Sequence, residues 1–365
     1  MRIAISALSA DNLSGTGTYT IELVRHLVPL LKDNKLIVFY PEGFMGFNPI
    51  ASSPSVELHP IEIKSTLHRI WWEQTKLPEL LIKCNVDGFH SPAFIAPFTT
   101  PCKYVVTCHD WGWKNYPESF PSQRRWYYKM AIPWSIRNAS AVITDSNAIA
   151  TEALKHNKKF IPIHLGPSPY VKRGAFPEEL TNVRRRYDLP FRFLLTLSTI
   201  EPRKNLKFLL KVFSELKMNG YPLDLVITGR FGWGELEVPT QPEVREHIHF
   251  LGYVPEKDIP ALYEVSETFV YPSIYEGFGI PVLDAMTSGK PIVISDDPAL
   301  VEVTGKDGAI SKAPDDINGW MEALKILSKS EEIRNSLGEK ARNKAKQFSW
   351  HETARKTLDI YEKYF

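Results

Sequence analysis

Short apolar runs alternate with helix-period segments along almost the whole chain, and this pattern restricts the fold more than any other feature. In the first half the runs fall at residues 2–6, 36–40, 57–63, 87–90, 104–108, 141–144 and 161–165, with helical patterns at 18–31, 68–83, 123–138 and 148–156. Strands alternating with helices of about 10–15 residues predict βαβ units and a parallel sheet. Val105-Val106 and Val142-Ile143 are apolar in succession, as strands covered on both faces should be. The alternation pauses at Gly166-Pro167-Ser168-Pro169 and passes through a polar, charged stretch at 172–186. It restarts with strands at 193–197, 223–228, 247–252, 269–272 and 292–295 and helices at 206–217, 257–265, 280–287, 317–328 and 331–347. A Pro/Gly cluster at a change of composition is a linker signature. The expected division is therefore 1–168, 169–348 and a last helix at 349–365. In that helix Trp350, Ala354, Leu358, Tyr361 and Phe365 form one apolar stripe in need of a large partner. The fold class expected is α/β, with two Rossmann-like domains facing each other and ligands outside the carboxyl ends of the strands.

Composition narrows the function. A chain of 365 residues, 43% hydrophobic and 24% charged, is ordinary globular material and excludes collagen and long disordered tails. A net charge of +2 lacks the global basic excess of a generic nucleic-acid binder, so no nucleic-acid partner is expected. Cys84, Cys102 and Cys108 form no CxxC pair, so neither a disulfide framework nor a thiolate zinc site is expected. Reduced thiols, no secretory pattern after Met1-Arg2-Ile3-Ala4-Ile5-Ser6 and no apolar run near about 18–20 residues suggest a cytoplasmic location.

Four segments carry candidate chemistry. Ser14-Gly15-Thr16-Gly17-Thr18-Tyr19 lies between the first strand and first helix, where glycines let backbone approach a ligand and free N–H groups attract anions. Thr20 occupies the third glycine position of a GxGxxG, and no GxxxxGK[ST] is present; a plain tight turn is the alternative. Thr107-Cys108-His109-Asp110 ends an apolar strand, so His109 either donates to a ligand oxygen or serves the loop backbone; His90 ends the preceding strand. Glu201-Pro202-Arg203-Lys204-Asn205 sets two cations at a helix start, against the helix dipole, an arrangement suited to a diphosphate. In Tyr271-Pro272-Ser273-Ile274-Tyr275-Glu276-Gly277-Phe278-Gly279, a strand runs into a glycine turn, and Asp284 follows eight residues after Glu276. Two acids and several amides there fit a sugar nucleotide better than a dinucleotide. HExxH, GxSxG and Asp-x-Asp are absent, so phosphate charge falls to Arg, Lys and helix ends.

The third and fourth segments together resemble the retaining glycosyltransferases of family 4, with the GT-B fold. The resemblance spans nearly the whole chain. It includes Gly15–Gly17 by position, Trp72-Glu73-Gln74 with Leu77-Pro78, Phe89-His90-Ser91-Pro92, His109-Asp110, Asp145-Ser146 and Gly252-Tyr253-Val254. It implies that Arg203 and Lys204 neutralise the donor diphosphate. Glu276 would bind hydroxyls of the transferred sugar, and the amides of Gly277, Phe278 and Gly279 would contact sugar or phosphate. His109 would sit near the reacting carbon, Gly15 and Gly17 would make room for diphosphate and acceptor, and Val254 with its loop would lie against the base. The last helix would return to the N-terminal domain. Asp284 stands where the family usually has glutamate, one methylene longer, which puts its ribose contact in doubt.

The resemblance further implies transfer with retention, without a metal or other cofactor, the nucleotide sugar being a substrate. Among family members the chain looks closest to bacterial enzymes of surface polysaccharide synthesis. Mannose from GDP-mannose is the donor expected, and a glycan or lipid-linked molecule the acceptor. The alternatives are a UDP-sugar transferase, a nucleotide-sugar epimerase or a non-catalytic nucleotide- or carbohydrate-binding subunit. The stretch 111–130, with Arg124, Arg125, Trp126, Tyr127, Tyr128 and Lys129, suits a peripheral contact with the inner face of the membrane, or else a helix packed on its sheet.

Overall fold

The computed structural model describes residues 1–12, 15–117, 122–153 and 160–365. Ser14 of the glycine motif, residues 118–121 of the aromatic-basic stretch and residues 154–156 of an expected helix lie outside them. The chain divides into two compact units, Met1–Gly166 with Ser349–Phe365, and Pro167–Phe348.

The first unit holds β1 (Arg2–Ser6), β2 (Lys35–Pro41), β3 (Val56–Ile61), β4 (Gly88–Ser91), β5 (Lys103–Cys108), β6 (Ala141–Thr144) and β7 (Phe160–Pro162). They form one parallel sheet in the order β3-β2-β1-β4-β5-β6-β7. The order reverses between β1 and β4, the switch point where such sheets open a crevice at the strands' carboxyl ends. Helix Trp350–Tyr364 belongs to this unit and buries Trp350, Ala354, Leu358 and Tyr361. Phe365 lies so close to Gly88 that a Cβ there would meet its ring at 2.0 Å. Glycine in β4 thus makes room for the chain's last side chain.

The second unit holds β8 (Phe193–Leu197), β9 (Asp224–Thr228), β10 (Ile248–Gly252), β11 (Thr268–Tyr271), β12 (Ile292–Ser295) and β13 (Ile310–Lys312), parallel in the order β10-β9-β8-β11-β12-β13. Its switch point lies between β8 and β11. Leu194, Leu225, Val270 and Val293 from the strands pack with Leu209, Phe213 and Leu324 from the helices.

Three expectations need correction. The first helix begins at Gly15, not residue 18, so Gly15 and Gly17 form its first turn and not a loop before it. The polar stretch 172–186 contains helix Pro177–Arg186, with Glu178 and Glu179 in its first turn and Arg184, Arg185 and Arg186 in its last. These charges complement the helix dipole, a signal that hydrophobic periodicity does not register. The short strand β13 was not expected, because Ile310 is its only apolar residue.

Candidate active site

In the first unit the site residues gather where β1, β4, β5 and β6 end. Gly17 is buried, and a Cβ on it would stand 1.8 Å from the Asn12 carbonyl oxygen. The backbone after β1 therefore folds onto the helix start only because residue 17 has no side chain. Gly15 is exposed. Cys108 pairs with Thr144, so His109 and Asp145 are the next residues on neighbouring strands. His109 Nδ1 lies 2.8 Å from Asp145 Oδ2, and Nε2 lies 2.8 Å from the Pro92 carbonyl oxygen. Both partners are acceptors, so a ring that satisfies both is an imidazolium. Burial alone would pull the His109 pKa down; the Asp145 carboxylate and the two hydrogen bonds outweigh it and hold it above the usual histidine value. His109 thus has no ring nitrogen left for a ligand. Its ring is a buried positive charge at the end of β5, held between Asp145 and the Pro92 carbonyl.

Beneath it runs a second buried chain. Tyr361 Oη meets His90 Nδ1 at 2.5 Å, His90 Nε2 meets Thr107 Oγ1 at 2.9 Å, and Thr107 Oγ1 meets Tyr19 Oη at 2.9 Å. Burial, with the positive charge of His109 nearby, lowers the His90 pKa to about 3, so this histidine is neutral. The two histidines, similar in sequence context, therefore carry different charges.

In the second unit both charged motifs reach the switch point, one after β8 and one after β11. Lys204 Nζ is 2.5 Å from Glu276 Oε1 and donates to Tyr271 Oη at 3.1 Å; its third proton has no partner among the described residues. Arg203 donates to the Tyr275 carbonyl at 2.6 Å, to Glu201 Oε1 at 2.9 Å and to Glu276 Oε2 at 3.4 Å. Burial would raise the Glu276 pKa, but Lys204 and Arg203 hold it down at about 2. Burial lowers the Lys204 pKa despite the attraction of Glu276. The cations that oppose the helix dipole are thus compensated by carboxylates.

The turn after Glu276 is fixed by groups that sequence reading gave no role. Asp297 accepts from the amides of Ala299 (3.0 Å) and Leu300 (3.1 Å) as a helix cap, and from the Glu276 amide at 3.3 Å. The Asp297-Pro298 pair was the available signal for that cap. Gly279 has φ +91°, and a Cβ there would meet Leu300 Cδ2 at 2.5 Å. Phe278 is buried against Phe348, so its backbone alone could serve a ligand.

Asp284 and Val254, both expected near the donor, are buried in the second unit. Asp284 is buried, its Oδ1 accepting the Ser168 amide at 2.8 Å and its Oδ2 meeting Ser168 Oγ at 2.7 Å. The shorter side chain anchors the strand-to-helix segment at Ser168, and both oxygens are taken. Val254 is also buried, whereas Tyr253 beside it is 47% exposed with the Arg230 guanidinium 4.3 Å from its ring centre. The exposed ring of this loop is thus that of Tyr253, beside the buried Val254.

Burial raises the Asp284 pKa to about 7, only partly opposed by the Ser168 hydrogen bonds. A raised acid pKa contributes stability that is fully present below the unfolded value and is lost as pH rises through the folded one. Stability should therefore fall between about pH 4 and pH 7 by on the order of 4 kcal/mol from this group. Asp284→Asn keeps an acceptor for the amide and gains a donor for Ser168 Oγ. Its melting temperature should lack this fall and exceed that of the parent at pH 8. Identical pH profiles for the two proteins would show that Asp284 does not titrate this way.

Among the described residues no three His, Cys, Asp or Glu side chains are grouped to hold a metal ion. Residues 13–167 match the family Glycosyltransferase Family 4, and residues 184–344 match Glycosyl transferases group 1. The chain is a glycosyltransferase of these families. It is 29% identical to O-antigen chain mannosyltransferase B of Escherichia coli over 96% of each chain. It is 28% identical to MMP alpha-(1->4)-mannosyltransferase of Mycolicibacterium hassiacum, covering 100% of this chain and 98% of that one. The fold of the transferase superposes on Anabaena Alr3699/HepE in complex with UDP-glucose with a TM-score of 0.77 at 18% identity, covering 100% of both chains. WaaG, a glycosyltransferase involved in lipopolysaccharide biosynthesis, gives a TM-score of 0.72 at 15% identity, covering 98% of this chain and 99% of that one. The transferase therefore has the GT-B fold of two Rossmann-like units. No helix among its described residues is long and apolar enough to cross a membrane.

Proposed function

We propose that the transferase moves mannose from GDP-mannose onto a glycan or lipid-linked acceptor in surface polysaccharide synthesis, retaining the anomeric configuration. The buried Arg203–Lys204–Glu276 cluster carries the reading. Two end-to-end relatives named as mannosyltransferases support the choice of sugar.

Lys204 donates its remaining N–H to the diphosphate, and the Arg203 guanidinium, held by Glu201, Tyr275 and Glu276, sets a second positive charge beside it; both stabilise the negative charge that grows there as the C1–O bond breaks. With these cations in place, no metal is needed to hold the phosphates. Glu276 stays ionised and accepts hydrogen bonds from sugar hydroxyls. The acceptor hydroxyl oxygen bonds to C1 on the face the diphosphate leaves, and its proton passes to the departing phosphate oxygen. His109, with both nitrogens engaged, is not the base.

The acceptor reading extends to the membrane. Leu67 and Trp71 on helix Thr66–Lys83 are exposed, as are Trp126 and Met130 on helix Ser122–Asn138 beside Arg125 and Lys129. Aromatic, aliphatic and basic side chains together suit peripheral contact with an anionic lipid surface on the cytoplasmic side.

A melting series with GDP, UDP, ADP and dTDP, each alone and as its sugar conjugates, tests the donor. A ligand at about 100 times its Kd stabilises the folded state by about 2.7 kcal/mol. Selective stabilisation by GDP and GDP-mannose is expected, with slow release of mannose to water. Selective stabilisation by UDP would replace the donor, interconversion of the donor sugar without acceptor would make the protein an epimerase, and no response would overturn the reading.

A further inference from the structure

A second group of polar side chains in the first unit plays no part in the donor chemistry. Arg69, Glu73 and Gln74 lie on helix Thr66–Lys83 and Tyr127 on helix Ser122–Asn138. Gln74 is engaged through both of its polar atoms. Its Oε1 accepts the Phe98 amide at 2.9 Å, and its Nε2 donates to Tyr127 Oη at 2.9 Å. It therefore fixes the two helices and the segment after β4 relative to one another. That segment also touches His109, through the Pro92 carbonyl and the Phe94 ring, whose centre is 5.4 Å from the imidazole.

The groups around Gln74 are the opposite of committed. The Glu73 carboxyl is half-buried and makes no hydrogen bond or ion pair among the described residues. Burial, against a weak pull from Arg69, raises its pKa to about 7. Arg69 Nε is buried and has no hydrogen-bond partner among the described residues. Tyr127 Oη receives the Gln74 proton and, among the described residues, has no acceptor for its own. Arg69 and Glu73 stand one turn apart on their helix, and the Gln74 hydrogen bond holds the Tyr127 hydroxyl against the residue that follows Glu73. Folded proteins rarely leave a buried polar atom such as Arg69 Nε unsatisfied, and with two half-buried groups beside it that have hydrogen-bonding capacity to spare, the site calls for a missing partner. The partner must offer both donors and acceptors in a small space, since two of the groups donate and one accepts.

Sugar hydroxyls have that property, each donating once and accepting twice. Resting on the acceptor reading above, we propose that Arg69, Glu73 and Tyr127 form the subsite for hydroxyl groups of the accepting saccharide. Gln74 is a positioning residue that ties this subsite to the segment carrying Pro92 and Phe94. A neutral pyranoside fits the set; an anionic group does not, because the Glu73 carboxyl would repel it.

The probe is methyl α-D-mannobioside, with binding read by saturation transfer to its protons in the full-length protein. The parent protein should bind it. Glu73→Gln, which preserves volume, should weaken binding by about tenfold, the size of a lost hydrogen bond to a charged group. Arg69→Ala with Glu73→Ala should abolish the signal. In transfer assays the loss should fall on the acceptor KM and not on the donor KM, a split that a merely structural defect would not produce. The melting rise given by nucleotide, which reports the other unit, monitors folding of each variant. Unchanged saccharide binding in the variants, or none in a parent protein that nucleotide stabilises, overturns this inference alone. Absence of nucleotide stabilisation in every protein overturns the donor reading with it.

Discussion

Combining Arg203→Ala with Lys204→Ala should reduce transfer by about a thousandfold or more, because both positive charges beside the leaving diphosphate disappear. The loss should fall on kcat, since these contacts strengthen as charge develops on the phosphate. Stability should fall as well. Glu276 keeps its pKa at about 2 mainly through the two cations, with a smaller pull from Ser273, while burial pushes the other way. A depressed acid pKa contributes stability present above the unfolded value and lost as pH falls through the folded one. Without the cations that contribution is gone, and the buried carboxylate is left unpaired at a cost of about 3–5 kcal/mol. Adding Glu276→Gln should restore the melting temperature without restoring transfer. Circular dichroism of the double variant should keep its α/β signature. Turnover near that of the parent would remove Arg203 and Lys204 from the mechanism.

Asp145→Ala should have the largest effect on the first unit. The carboxylate is the main attraction opposing burial of the His109 charge. Without it the imidazole sheds its proton, and its pKa drops below the unfolded value. The native state then binds fewer protons than the unfolded one, so stability rises with pH and is lost as pH falls. The variant should be about 1–3 kcal/mol less stable at pH 8, where only a hydrogen bond is lost. The deficit should grow by about 2 kcal/mol or more near pH 5, where the unfolded chain takes up a proton that the buried imidazole no longer binds. Urea melts at the two pH values measure both. A deficit independent of pH would show that His109 is neutral in the parent.

These two pairs differ in how far the sequence announced them. Arg203 and Lys204 were legible because like-charged residues at a helix start are poor local structure, and Glu276 because an acid beside the free amides of a glycine turn suits hydroxyls and phosphate. Unfavourable local choices mark residues kept for another purpose. Asp145 gave no such sign. Its partner lies 36 residues away, and only the Cys108–Thr144 register sets the two side by side. Asp284 was legible as a departure from a resemblance, yet its partner Ser168 lies 116 residues distant and was invisible. The glycines divide in the same way. Gly279 could be read from its turn, whereas the need for glycine at 17 and 88 comes from Asn12 and Phe365 pressing on them in space.

The sequence by itself determined the strand and helix alternation, the division near Gly166 and the chemistry of the motifs that end β8 and β11. These follow from periodicity, Pro/Gly punctuation and charge, all of which act between near neighbours. The tertiary structure alone decided the protonation of His90 and His109, the engagement of Asp284 by Ser168, the burial of Val254 and the unsatisfied set around Glu73. Each of these depends on desolvation and on which acceptor stands within about 3 Å of which donor. Pairs so distant in sequence meet only when the sheet order and register bring their strand ends together.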